Sequence, residues 1–320
     1  MPRLLKIDPR PVEYESLAES DFGSIPAVVD TSVETSTWRA LTPTLAPGFE
    51  TVAFVDGVQR IELRLSAEGE GYPIPGALAS CAAGAICVGS EPRLRDVIVD
   101  RRLILAKGAT TTALRLHASN GDFEYLPAHD SGEDFESINR TLNDLRSNLE
   151  VEVVRELIKD KVDLVIVDGR LPDVRHGPVV GLIKTLQNLY VTDPGHLATL
   201  TSLTTGQRSP VFAIERARTT YYSWFVCLRT PGLFDLGLSG LVRMEMDDSV
   251  SREEALRFAD TTAVILPPYA SNPNRDPRAP QNLLPIGQLE HELRHRLGDS
   301  ELMKRLVFKA FNEEGHEWSL

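Results

Sequence analysis

Hydrophobic and polar positions begin to alternate regularly near residue 50. Before that, residues 1–48 carry several prolines and no clear period, which predicts an extended arm with at most a short helix. Residues 50–65 alternate and predict one strand, or two strands forming a hairpin. Residues 77–88 are small and apolar and end at Gly89, and residues 101–106 and 112–117 add two more strand-like runs. Together they predict an antiparallel set of three or four strands. After a polar loop at 129–133, Ile138, Leu142, Leu145, Leu149, Val153 and Leu157 recur at spacings of three and four. This is one apolar stripe on a long helix over 134–161, with Ser131 and Asp134 resembling a capping box at its start. A buried strand at 163–167 follows directly, so it requires a crossover and is expected to run parallel to a partner.

Beyond it, 179–189 reads as a helix containing Lys184. Residues 211–214, 222–228, 241–246 and 263–266 read as strands, and 253–260 as a short helix. A proline-rich loop at 267–280 precedes two helices at 286–297 and 300–311. The order predicts a mixed α/β sheet flanked by helices. The competing fold is a doubly wound parallel sheet, without the antiparallel strands before residue 120. No linker interrupts the pattern, which favours a single large domain over 49–320 behind the 1–48 arm.

Composition narrows the class. At 320 residues the chain can bury a large core. No apolar run is long enough to span a membrane, and Pro and Asp come too early in MPRLLKIDPRPVEYES for a secretory signal, so a cytoplasmic location is expected. The three cysteines, Cys81, Cys87 and Cys227, form no CxxC and sit among apolar neighbours, which reads as structural thiols. A formal net charge of −12 argues against nonspecific coating of nucleic acid, though not against a nuclease with a local basic channel. Arg93, Arg95, Arg101 and Arg102, or Arg294, Arg296, Lys304 and Arg305, can either line such a channel or form solvated faces.

The chemistry rests on a repeated ending. Residues 51–57 read TVAFVDG and 162–169 read VDLVIVDG, each a β-branched run that stops on an aspartate and a glycine. Asp-Gly is also an ordinary turn signal. If the two strands are neighbours, however, Asp56 and Asp168 converge, and a divalent cation relieves their repulsion. Phosphodiester hydrolysis uses such carboxylates to hold ions about 4 Å apart. The helix before Asp168 offers Glu150, Glu152 and Glu156. Residues two apart on a helix diverge by about 200°, so Glu150 and Glu152 cannot both serve, and the sequence does not choose between them. Lys184 either snorkels from its segment or orients water or phosphate. Arg243 and Glu245 alternate with Val242 and Met244 and point to one side of a strand, toward solvent or a groove. His291 and His295 are four apart on a helix, a metal-compatible spacing, in the run His291-Glu292-Leu293-Arg294-His295. Neither GxxxxGK[ST] nor GxSxG occurs, which excludes P-loop ATP binding and argues against a serine hydrolase.

In order and spacing these motifs resemble the NurA family of DNA-repair nucleases. The resemblance covers about residues 50–300. It rests on FVDG at Asp56, NLEVEVVREL with Glu150 or Glu152, IVDGRLP at Asp168, GLIKT at Lys184, VRME at Arg243 and Glu245, and LLPIGQLEHELRHRLGD with His291. The family's Asp-Gly-Ser is here Asp-Gly-Val and Asp-Gly-Arg, and Glu290 precedes His291 where the family has alanine. The resemblance implies an RNase H-like mixed sheet and a Mn²⁺-dependent deoxyribonuclease, with Mg²⁺ as the alternative ion. The activity implied is endonuclease and 5′–3′ exonuclease action on DNA ends in recombinational repair. It also implies Asp56, Asp168 and a helix glutamate as metal ligands, Lys184 and His291 in the site, and a homodimer working with a HerA-type hexameric translocase ATPase.

Two further expectations come from the residues. Leu4, Leu5, Leu302, Val307, Phe308 and Phe311 have no evident place in the sheet, which predicts a two-fold interface. The function class opposed to a nuclease is a non-catalytic clamp joining motor and DNA.

Overall fold

In the computed structural model, the structure describes residues 5–7, 27–44, 49–68, 72–89, 92–118, 121–184, 186, 188–216, 218–232, 238–272 and 280–313. In chain order, β1 is Leu5–Ile7, β2 Val28–Asp30, β3 Val52–Glu68, β4 Pro73–Val88, β5 Arg93–Leu105, β6 Leu114–Ala118 and β7 Gly121–His129. The helix α1, Phe135–Lys159, leads to β8, Leu164–Asp168, and β9, Val179–Ile183. Then come α2 Pro194–Ser202, β10 Phe212–Arg216, β11 Thr219–Cys227, β12 Leu241–Asp247 and α3 Arg252–Ile265. The last helices are α4, Leu284–Leu297, and α5, Ser300–Glu313.

Among the described residues one mixed sheet runs β2-β10-β11-β12-β9-β8-β3-β4-β5-β7-β6, with β1 added to β3. The segment expected to be a strand or a hairpin is one long strand, β3. It pairs antiparallel with β4 from Val52↔Val88 to Glu68↔Pro73, and β4 pairs antiparallel with β5. The helix crossover then places β8 parallel to β3, and β9 parallel to β8. The antiparallel strands before residue 120 separate this sheet from the doubly wound alternative.

Side-chain alternation decides which helix covers which face. Ala53 and Val55 of β3 and Val165 and Val167 of β8 pack with Val153, Val154 and Leu157 of α1. Val52, Phe54 and Val58 of β3, Leu164 and Ile166 of β8, and Val180 and Leu182 of β9 point the other way. There they pack against Ala259 and Ala263 of α3 and Ile286, Leu289, Leu293 and Leu297 of α4. The small residues of β4 let helices approach both faces. Gly84, paired with Asp56, is the clearest case: a Cβ there would lie 3.3 Å from Leu293 Cδ2.

Both ends of α4 are fixed. At its C-terminus Arg60 Nη1 donates to Gly298 O at 2.8 Å, and Arg60 Nη2 and Arg101 Nη2 donate to Leu297 O at 3.2 Å. These cations satisfy carbonyls that the helix leaves open and complement its dipole. At the N-terminal end, Leu283 bridges Ala270, and Ser271 N donates to Asn282 O at 2.9 Å.

Several expectations are corrected. Residues 179–183 form β9, not a helix: the run VVGLI is fully buried between β8 and β12, and sheet pairing outweighs a short helical pattern. Residues 263–265 continue α3, whose capping box at Ser251 and Glu254 starts a helix longer than expected. The cap of α1 is Asp134, whose side chain accepts from Ser137 N at 2.8 Å. The strands β2 and β7 and the helix α2 have no counterpart in the sequence reading. The C-terminal helix is not an unplaced apolar surface. Met303, Val307 and Phe311 join the core formed by β3, β4 and β5, Leu302 is half-buried, and Phe308 is exposed. Leu5 lies in β1, and Leu4 is outside the described residues.

A candidate carboxylate metal site at the ends of two parallel strands

The last β3–β8 pair is Val55↔Val167, so Asp56 and Asp168 stand one position beyond it on neighbouring parallel strands. Both have the parity of Phe54 and Ile166 and therefore face α4. From α4, Glu290 completes the group: one carboxylate oxygen from each of Asp56, Asp168 and Glu290 lies within 4.8 Å of the others. Lys184, one residue past β9, shares this face. Its Nζ donates to Asp168 Oδ2 at 2.5 Å and to Asn282 Oδ1 at 3.0 Å.

Asp56 is buried, and its Oδ1 accepts from Gly57 N at 2.8 Å. Its Oδ2 accepts no hydrogen bond from the described residues. Burial pushes the Asp56 carboxyl well above the usual carboxylate range. The Asp168 and Glu150 carboxylates push the same way, and Lys184 opposes them. Three carboxylate oxygen donors, one of them on the buried Asp56, fit a hard divalent cation, which prefers such ligands and relieves their repulsion. They do not resemble a zinc set of nitrogen and sulfur donors.

The helix glutamates fall elsewhere. Glu150 is buried on α1, the opposite face of the sheet. It pairs with Arg146 and lies against Gly57, where a Cβ would come within 3.1 Å of Glu150 Cδ. It is therefore near Asp56 without joining the three-carboxylate group. Glu152 is exposed, on the outer side of α1 with Glu156. His291 and His295 are also exposed, one on each of two successive turns of α4. No described group with three potential ligands includes Glu152 or either histidine.

Glu290 went unrecognised as a ligand in the sequence reading, although a signal was present. It is four residues from Ile286 and three from Leu293, which places a carboxylate in an otherwise apolar inward stripe. Asn282 left no comparable signal, because nothing local ties it to Lys184 98 residues away.

Arg243 and Glu245 line neither solvent nor an open groove. They are buried on the side of β12 opposite Met244, where Glu245 pairs with Arg243 at 3.1 Å and Arg216 at 2.7 Å. The Arg243 guanidinium also lies 4.7 Å from the Tyr190 ring centre. The two basic clusters carry nearby acids. Arg95 pairs with Asp160, Arg102 with Asp100, Arg294 with Glu290, Arg296 with Glu292 and Lys304 with Glu301. The cysteines are free thiols, and burial pushes Cys81 up to about 12 and Cys227 to about 11, which leaves them protonated and unreactive. No described helix is long and apolar enough to cross a membrane. No family model and no curated protein matches the chain.

Proposed function

We propose that the chain is a divalent-metal-dependent deoxyribonuclease with an RNase H-like core, of the NurA kind that its motifs resemble. The observation that carries this reading is the convergence of Asp56, Asp168 and Glu290 within 4.8 Å at the ends of two parallel strands. The sheet supports it as well. The antiparallel meander β3-β4-β5, the crossover helix α1, and β8 and β9 parallel to β3 make a mixed sheet of the kind this reading requires.

A bound Mn²⁺ or Mg²⁺ ion would supply Lewis-acid polarisation and charge neutralisation for phosphodiester hydrolysis. Asp56, Asp168 and Glu290 are the residues that would hold it, and the donor chemistry fits. Lys184 sets its Nζ against Asp168 on the same face, where it can meet a nonbridging phosphate oxygen. The apolar wall of Phe54, Ile166, Leu182 and Leu289 beneath the carboxylates lowers the local dielectric and strengthens each of these contacts.

DNA ends as substrate, a homodimer and a HerA-type translocase ATPase as partner follow from the resemblance, as does a cytoplasmic role in recombinational repair. The acids beside both basic clusters within one chain favour a DNA path completed by a second copy or by the motor. The test is cleavage of linear duplex DNA by the purified chain, alone and with the ATPase. Activity with Mn²⁺ that EDTA and Asp56→Asn each abolish is expected. Wild-type cleavage in EDTA, or by the Asp56→Asn protein, overturns the reading.

A further inference from the structure

Asn282 stands immediately before α4 and is buried, with 3% of its surface exposed. Its Oδ1 accepts from Lys184 Nζ at 3.0 Å, while its backbone carbonyl is held by Ser271 N. A Cβ on Gly287 would lie 3.4 Å from Asn282 Nδ2, so the amide lies against the first turn of α4. Lys184 follows a β-strand and has a flexible four-carbon stem that gives it no fixed position of its own. Among the described residues two acceptors fix its ammonium: Asp168, one of the carboxylates facing the metal position, and Asn282, which is uncharged.

We infer that Asn282 is a positioning residue for Lys184, holding its ammonium beside the three-carboxylate group in the place from which it meets the scissile phosphate. This rests on the nuclease reading of that group. A neutral acceptor suits the task, because it orients the ammonium without cancelling its charge or drawing the cation away as a fourth carboxylate would. It also has a consequence for metal binding. The ammonium competes with a cation for Asp168, and Asn282 stabilises the competitor.

The expected effect is therefore split, in a way that general damage to the site does not reproduce. Asn282→Ala loosens Lys184, so the variant should bind Mn²⁺ about two- to fivefold more tightly, yet cleave DNA about tenfold more slowly at saturating Mn²⁺. Lys184→Met should shift both quantities in the same directions. If Asn282 acts through Lys184, Asn282→Ala adds nothing once Lys184 is methionine, and the double-mutant cycle shows coupling about equal to the single effect. Asn282→Asp puts a fourth carboxylate against the ammonium and draws it away from Asp168, so it should not restore the wild-type cleavage rate.

Mn²⁺ affinity is read by electron paramagnetic resonance of the free ion and cleavage by initial rate, on wild type, Asn282→Ala, Asn282→Asp, Lys184→Met and the Asn282→Ala/Lys184→Met double variant. Tighter Mn²⁺ binding with slower cleavage, silent in the Lys184→Met background, supports the assignment. Weaker binding together with slower cleavage, or additive effects in the double variant, overturns it. If the wild type binds Mn²⁺ but cleaves nothing, the nuclease reading fails, and the Mn²⁺ cycle alone still decides whether Asn282 acts on Lys184. A wild type that binds no Mn²⁺ overturns both.

Discussion

Asp56 and Asp168 occupy equivalent positions on adjacent parallel strands, each one residue past the pair Val55–Val167, and both face α4. Metal-free, they repel each other, and burial adds to the cost of ionising Asp56. The folded Asp56 carboxyl therefore titrates above its unfolded value, so its contribution to stability is present at low pH and is lost as pH rises through the folded value. Asp56→Asn should raise the unfolding midpoint of the metal-free protein at neutral pH by about 1–2 °C, worth about 1 kcal/mol in a chain of this size. Mn²⁺ should raise the midpoint of the wild type and leave the variant unmoved. Thermal unfolding with EDTA or Mn²⁺, at pH 5 and pH 8, checks both points, and the gap between variant and wild type in EDTA should shrink at pH 5.

Glu290, rather than a glutamate of α1, is the third carboxylate of the group. Glu290→Gln should weaken Mn²⁺ binding by at least about tenfold, whereas Glu152→Gln, on the exposed side of α1, should leave it within about twofold. Isothermal titration with Mn²⁺ separates the two variants.

Gly181 allows the backbone after Asp168 to pass close to β9. A Cβ there would lie 2.9 Å from Leu171 N and 3.0 Å from Gly169 O, both main-chain atoms that cannot swing aside. Gly181→Ala should destabilise the protein by about 1–3 kcal/mol and weaken Mn²⁺ binding by displacing Asp168. Urea unfolding and a Mn²⁺ titration check the two effects.

Asp163 ties the start of β8 to the start of β3. Its Oδ2 accepts from Glu50 N at 2.9 Å and from Thr51 N and Oγ1 at 2.8 Å. Burial opposes its ionisation, but the Thr51 and Glu50 hydrogen bonds prevail and hold its carboxyl below the ordinary value. The stability it gives is present above the unfolded value and lost as pH falls through the folded one. Asp163→Ala should cost about 1.5–3 kcal/mol at pH 7. By pH 3 that difference should narrow, as read by denaturant unfolding at both values.

The features readable in advance were those carried by local pattern. Two Asp-Gly strand ends, the apolar stripe of α1 and the two C-terminal helices all register within a window of a dozen residues. The crossover rule called for a parallel partner for β8 without naming β3. What local pattern does not encode is which face of the sheet each helix covers. Glu150 and Glu152 lie on the helix next to Asp168 in sequence, yet strand parity aims Asp168 away from α1 and toward α4, more than 100 residues later. The segment at 179–183 fits either period, because four apolar residues and a glycine are too short a run to tell them apart, and its burial between β8 and β12 settles the outcome. Arg243 and Glu245 alternate as a surface strand does, but they are buried because each completes the other's charge together with Arg216.

The central claim is that Asp56, Asp168 and Glu290 together hold one catalytic metal position. Anomalous diffraction at the manganese edge, from crystals soaked in Mn²⁺, tests it most directly. The account predicts a peak about 2.0–2.6 Å from an oxygen of each of the three carboxylates, absent from Asp56→Asn crystals. A peak bound by Glu150, Glu152 or His291 without Glu290, or no peak at the strand ends in crystals of an active protein, would contradict it.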